Sequence, residues 1–251
     1  MRIFLAGVDT FLEKAITEKE LGNKEVYCLE SFYTVKRTHK YLPLYKDFLL
    51  DSGAFSFFGY SKDPNKIDWD GYVKSYIDYI NKYDIKHFFE LDVDALVGYD
   101  RVLAIRHQIE KGTGKNVIPV FHRSRGIEEY KKMCNEYDYI AIGCSGKHDS
   151  VWTRTYPEKL KQLVNYATDR GVKVHGLGFT SLTGMKEIPF YSVDSTSWLA
   201  GNKFGSIYKF NGVTIDKILK QKGKRLKNAY ETARNNFLEW KKFQHYMDLN
   251  Y

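Results

Sequence analysis

Apolar positions along this chain follow two rhythms. Short unbroken apolar runs recur from the N-terminus to residue 194: 2-RIFLAGV-8, 25-EVYCL-29, 48-FLLD-51, 88-FFELDV-93, 117-VIPVFH-122, 139-YIAIGC-144, 172-VKVHGL-177 and 190-FYSVD-194. Runs this short and continuous suit strands buried on both faces, as in a parallel sheet with helices packed outside it. Between them the spacing changes to i, i+3, i+4. In 68-DWDGYVKSYIDYINKYD-84, Trp69, Tyr72, Val73, Tyr76, Ile77 and Ile80 share one helical face. The segment 100-DRVLAIRHQIEKG-112 opens on a candidate Asp cap and closes on Gly. A shorter helix is expected over 127-IEEYKKMCNEY-137, and 157-PEKLKQLVNYATDRG-171 carries Pro in its first turn and Gly past its end. A long basic C-terminal helix is expected over about 214–246, with Ile215, Ile218, Leu219, Leu226, Ala229, Tyr230, Ala233, Phe237 and Trp240 on its apolar face. Residues 30–47 carry no strong helical signal and are expected to be irregular.

Eight strands alternating with helices predict an α/β chain folded as a (β/α)8 TIM-like barrel, with an open doubly wound sheet as the alternative. No internal repeat, low-complexity tract or linker divides the 251 residues. A single domain over 1–251 is expected, its last helix packed on the barrel or extending from it.

Charge adds one feature. The formal net charge is +8, and between Asp216 and Lys227 six Lys/Arg face one acid. A basic surface favours a polyanionic partner, although a basic helix face is also simply well solvated. The three cysteines, Cys28, Cys134 and Cys144, form no C-x-C or C-x-x-C pair, which argues against a structural zinc site or a disulfide framework and fits a reducing cytoplasm. No apolar run approaches the length of a membrane span, and the N-terminus reads as a strand rather than a signal peptide. The many Tyr and Phe sit mainly at core spacings.

In a barrel the chemistry collects at the C-terminal ends of the strands. There the sequence places 51-DSGAFSFFG-59, 90-ELDVD-94, 119-PVFHRSR-125, 143-GCSGKH-148, 175-HGLGFTS-181 and 194-DSTSW-198. Each piece alone has a structural explanation. Asp51 suits an Asx turn, Asp92 or Asp94 a helix cap, and Gly143, Gly146, Gly176 and Gly178 crowded turns. His122 and His175 suit hydrogen-bonded histidines, or with an Asp the ligands of a metal in a barrel hydrolase. The conjunction of acids at three strand mouths, with glycines between them, is what suggests a site.

These residues carry a resemblance. The run 50-LDSGAF-55 resembles the D-S-G-G-F-Q box of tRNA-guanine transglycosylases, and 90-ELDVD-94 sits where that family has a base-reading Asp. The run 141-AIGCSG-146 is similar to its glycine-rich pocket loop, 175-HGLGFTS-181 to its L-M-G-V-G box, and 190-FYSVDSTSW-198 to the segment bearing its nucleophile. Order and spacing agree over about residues 48 to 200. The family's Cys/His zinc module is absent, the chain is shorter, and Ser195, Thr196, Ser197 and Trp198 stand in place of P-T-R. The match is closer to small phage-type enzymes that insert 7-deazaguanines into DNA.

The resemblance implies base exchange with DNA favoured over tRNA, a 7-deazaguanine such as preQ0 as incoming base, no cofactor and no metal. It implies a host-cytoplasmic setting if the chain is phage-encoded. By resemblance Asp194 is the nucleophile, Asp51 the acid and base, and Asp92 the reader of the guanine edge. Ser52, Phe55, Gly143, Cys144, Gly176 and Gly178 line the base pocket, with Phe55 stacking on the purine and backbone N–H groups near Gly143 and Cys144 meeting the C6 carbonyl. Arg123, Arg125, Lys217, Lys224, Arg225 and Lys227 are expected at phosphates. A catalytically silent nucleic-acid binder that keeps the pocket is the rival from another class.

Overall fold

The structure is a computed structural model and describes residues 1–35, 39–58, 66–146, 149–200, 205–219 and 228–251. Eight parallel strands form one sheet: β1 Arg2–Ala6, β2 Tyr27–Ser31, β3 Asp47–Asp51, β4 His87–Phe88, β5 Val120–Phe121, β6 Tyr139–Gly143, β7 Lys173–Leu177 and β8 Ser192–Ser195. Their order is β4-β3-β2-β1-β8-β7-β6-β5. Neighbours in that order are neighbours in the chain, except that β1 lies against β8, with Phe4 opposite Asp194. This is the order of a (β/α)8-like fold. The two ends of the sheet, β4 and β5, are joined by one parallel bridge, Phe89 opposite Ile118.

Side chains alternate across the sheet. Phe4, Ala6, Tyr27, Leu29, Leu49, Phe89, Ile118, Val120 and Ala141 form one cluster on the inner face. The residues between them, such as Ile3, Leu5, Cys28, Ile140, Ile142, Val174 and Val193, point outward into the layer beneath the helices. Both faces are therefore apolar, which is why the strands read as unbroken runs.

Five helices of ten residues or more are described: α1 Trp69–Lys82, α2 Tyr99–Thr113, α3 Ile127–Glu136, α4 Pro157–Thr168 and α5 Ala229–Asn250. Asp68 caps α1 by accepting from Gly71 N at 2.9 Å, and Val73, Tyr76, Tyr79 and Ile80 are buried as the spacing predicted. The cap of α2 differs from expectation: Gly98 holds the capping position, Asp100 lies in the first turn, and the helix runs through Gly112 to the left-handed Gly114. Residues 39–44 form a 3-10 helix in the stretch expected to be irregular.

The C-terminal region also departs from expectation. Residues 215–219 are not helical. They form β10 (Ile215–Leu219), paired antiparallel with β9 (Ser206–Phe210) in a separate hairpin. Helix α5 starts only at Ala229, where the Asn228 side chain accepts from Tyr230 and Glu231 N. Asn236 on α5 holds the hairpin by accepting from Tyr208 N at 2.8 Å and donating to Trp198 O and Ser206 O at 3.1 Å. At the other end of α5, Gln244 accepts from Tyr27 N and donates to Ile3 and Tyr27 O, tying the helix to β1 and β2. No helix among the described residues is long and apolar enough to cross a membrane.

Candidate active site

Because all eight strands are parallel, their C-terminal ends share one edge of the sheet. Asp51 is the last residue of β3, Asp194 lies in β8, Asp92 follows β4 and His122 follows β5. The three acids read from the sequence meet electrostatically. Burial, then the charges of Asp92 and Asp194, push the Asp51 carboxyl up to about 7, against a bond from Gly53 N at 3.0 Å. A carboxyl held there is half protonated at neutral pH and can both give and take a proton.

Asp194 is 6% exposed. Its Oδ1 accepts from Gly178 N at 2.5 Å and lies 3.2 Å from His175 Nε2. Gly178 has φ of 72°, and a Cβ there would come within 2.6 Å of Ser145 Cβ. Only glycine presents its N–H to Asp194 from that position. Gly178 thus contacts the nucleophile candidate rather than a base.

Asp92 is engaged on one oxygen. Its Oδ2 lies 3.0 Å from His122 Nε2, and His122 Nδ1 lies 2.7 Å from Asp149 Oδ2. The two flanking carboxylates outweigh burial and raise His122 to about 10, so the ring is an imidazolium at neutral pH. Burial pushes the Asp92 carboxyl up, and His122 pulls it back.

Gly143 makes room for this arrangement. A Cβ on it would sit 2.7 Å from His122 Nδ1 and 3.3 Å from Asp149 Oδ2. Sequence reading did not single out Asp149, which lies in the first turn of a short helix, Asp149–Thr155, and has no partner within reach along the chain.

A second acid group lies behind Asp92. Glu90 is fully buried and is bound by Arg106 Nε at 2.7 Å and Arg125 Nη1 at 2.5 Å, and it accepts from Val120 N at 2.7 Å. Arg125 also forks onto both oxygens of Asp94, at 3.1 and 3.2 Å. These bonds occupy the Arg125 guanidinium, whose side chain is 1% exposed. Arg125 is therefore a structural cation, and the expectation that it meets phosphate is corrected. Arg123 is exposed, as is Lys217, which stands on β10 rather than on a helix.

Other expected pocket residues divide. Cys144 N donates to Leu177 O at 2.9 Å and its thiol to Ile142 O, so its N–H is not free for a base carbonyl. Gly176 faces outward, where a Cβ would lie 3.0 Å from Phe179 Cβ and 3.1 Å from Phe190 Cζ; its role is packing. Ser52 is fully buried with no hydrogen-bond partner on Oγ among the described residues, while its carbonyl accepts from Tyr72 OH. Trp198 is buried and donates to Ala6 O, so it is a core residue. The Phe55 side chain and residues Lys224, Arg225 and Lys227 lie outside the described ones.

Both ring nitrogens of His122 and of His175 are hydrogen-bonded. Neither ring offers a free lone pair to a metal in this arrangement, and the donor geometry does not favour the metal-hydrolase alternative. In comparisons with known proteins, no family model and no curated protein matches the chain.

Proposed function

We propose that the protein is a base-exchange transglycosylase that replaces guanine in nucleic acid, DNA favoured over tRNA, with a 7-deazaguanine. The observation that supports this most is the Asp51 carboxyl near 7 under the charges of Asp92 and Asp194. One strand edge thus carries a proton-exchanging acid beside two further carboxylates of different environment. Unequal carboxyls at one site suit glycosidic chemistry.

In this reading a free oxygen of Asp194 attacks C1′. An ester bond forms as the bond from C1′ to the base breaks, and the departing electron pair goes to guanine, which takes the proton of Asp51. The incoming deazaguanine then gives its ring N–H proton to Asp51 and displaces Asp194 from C1′, restoring both carboxyls. Asp92 accepts from the N–H groups of the guanine edge, with His122 and Asp149 holding it in place. The target base leaves the stack before reaching the edge. Arg123, Lys217 and the Lys/Arg-rich run 220–227 contribute phosphate contacts, and paired substitution of Lys224 and Arg225 by Glu weakens DNA binding and flattens its salt dependence.

The test is incubation with guanine-labelled DNA or tRNA plus preQ0, reading released guanine and trapped protein–nucleic acid adduct. Asp194→Ala is expected to abolish both while remaining folded. Asp194→Asn is expected to keep nearly all nucleic-acid affinity, because phosphate contacts carry binding. Full release by Asp194→Ala removes the proposed nucleophile. Binding without any adduct or release by the wild type favours a silent binder.

A further inference from the structure

We propose that His175 is a positioning residue for Asp194, its ring set by a one-way hydrogen-bond chain from Tyr139 through Ser192 along the inner face of the sheet. This rests on the transglycosylase reading of Asp194.

His175 and Ser192 are completely buried. The imidazole lies among aromatic rings, with centroids 6.1 Å from Phe4 and 5.2 Å from Phe89. An apolar side chain packs there at lower cost, since a buried polar ring is unfavourable unless its nitrogens are bonded. Both are: Nδ1 lies 2.7 Å from Ser192 Oγ and Nε2 lies 3.2 Å from Asp194 Oδ1. Ser192 Oγ lies in turn 2.6 Å from Tyr139 OH.

The direction of every bond follows from one end. A nucleophilic Asp194 is a carboxylate and can only accept, so Nε2 carries the proton. With Nε2 alone protonated, as proposed, Nδ1 accepts, so the Ser192 hydroxyl donates to it. The Ser192 oxygen accordingly accepts from the Tyr139 hydroxyl. Burial pushes the Tyr139 phenol up, which keeps it a donor. All three bonds point toward Asp194.

The consequence lies on the carboxylate. Oδ1 receives both Gly178 N–H and His175 Nε2–H. Among the described residues no hydrogen bond falls on Oδ2, which is left to attack. The clamp chooses which oxygen reacts and removes the rotation that would exchange them.

The experiment combines single-turnover adduct formation on guanine-containing DNA, DNA affinity, thermal melting and 15N NMR of histidine-labelled protein. The wild type is expected to show His175 as the Nε2–H tautomer. His175→Leu, which fills the space without a donor, is expected to slow adduct formation on the order of 10²-fold with DNA affinity unchanged. His175→Gln, whose amide N–H reaches toward the Nε2 position, restores most of that rate. A role in packing alone predicts no such split between Leu and Gln. If the Leu variant does not fold, Ser192→Ala tests the same claim: without its partner at Nδ1 the ring is free to turn away from Asp194, which slows the adduct step.

A wild-type Nδ1–H tautomer overturns the inference alone, and so does a folded Leu or Ser192→Ala variant that reacts at the wild-type rate. A wild type that forms no adduct overturns the transglycosylase reading and the inference with it. The NMR measurement, which needs no substrate, separates those cases.

Discussion

Asp51 carries two pH dependences that run the same way. Its folded value of about 7 lies above that of an unfolded Asp, near 3.9. The group binds more protons folded than unfolded between those values, so its contribution to stability is fully present below about pH 4 and is lost as pH rises through 7. Asp51→Asn resembles the protonated acid. It is expected to match wild-type stability in urea at pH 4.5 and to exceed it at pH 8 by a few kcal/mol, about 1.4 for each pH unit between the two values. The same substitution is expected to abolish guanine release, and wild-type release is expected to fall above pH 7 as the leaving base loses its proton donor. An Asn variant less stable than wild type at pH 8 contradicts the crowding of acids that produces the shift.

Gly143→Ala is a sharper probe of the other half of the site. It drives a Cβ toward the His122 ring and is expected to cost about 1–3 kcal/mol in urea unfolding, as overpacking does. It is also expected to displace His122, whose imidazolium NMR signal near neutral pH is then altered. The three acids were legible because each interrupts an apolar run at its C-terminal end. Asp149 and the buried role of His175 were not, because their partners lie on other strands and no local spacing points to them.

Elements were legible where one periodicity dominated. Six strands follow from their apolar runs, while β4 and β5 keep only two residues each, His87–Phe88 and Val120–Phe121, of the longer runs expected there; α1, α3 and α4 follow from helical spacing and punctuation. The stretch 214–219 is a strand that also carries a helical signature, because Ile215, Ile218 and Leu219 satisfy i, i+3, i+4. The stronger signal was Asn211-Gly212 between 206-SIYKF-210 and 215-IDKIL-219, a dipeptide that favours a tight hairpin. The turn is closed by Asn211 accepting from Val213 and Thr214 N.

The same scale separates two arginines that look equivalent in the sequence. Arg123 is exposed on the 3-10 turn after β5, and Arg125 is buried on Glu90 and Asp94. Arg125→Met leaves Glu90 and Asp94 short of a cation and is expected to cost about 3–5 kcal/mol of stability. Arg123→Glu is expected to leave stability within about 0.5 kcal/mol while weakening DNA binding more at low salt than at high salt. Chemical denaturation and salt-dependent binding of both variants decide this. Reversed outcomes reassign which arginine meets the polyanion.

At the scale of the whole molecule, the eight-stranded sheet is uneven. Most adjoining strands share a ladder, β2 and β3 pairing over five residues and β6 and β7 over another five. Between β4 and β5 there is only the bridge at Phe89 and Ile118, with Ile118 N donating to Phe88 O at 2.8 Å and Glu90 N to Ile118 O at 3.1 Å. Pro119 follows with no N–H to give. Beyond it side chains replace the ladder: Glu90 accepts from Val120 N and Arg125 donates to Val120 O at 2.6 Å. The seam thus depends on a buried ion network in place of repeated backbone bonds, and that network borders Asp92 and Asp94.

Local opening follows the regions with fewest backbone bonds. Native-state hydrogen exchange is therefore expected to show the amides of Ile118, Val120 and Glu90 opening at lower free energy than those of Ile140 and Val174 in the β6–β7 ladder. Arg125→Met is expected to widen that gap by lowering protection at the seam more than at β6. Equal protection at both places, in wild type and variant alike, means that the sheet opens as one unit and that the Glu90–Arg125 network does not hold the β4–β5 junction.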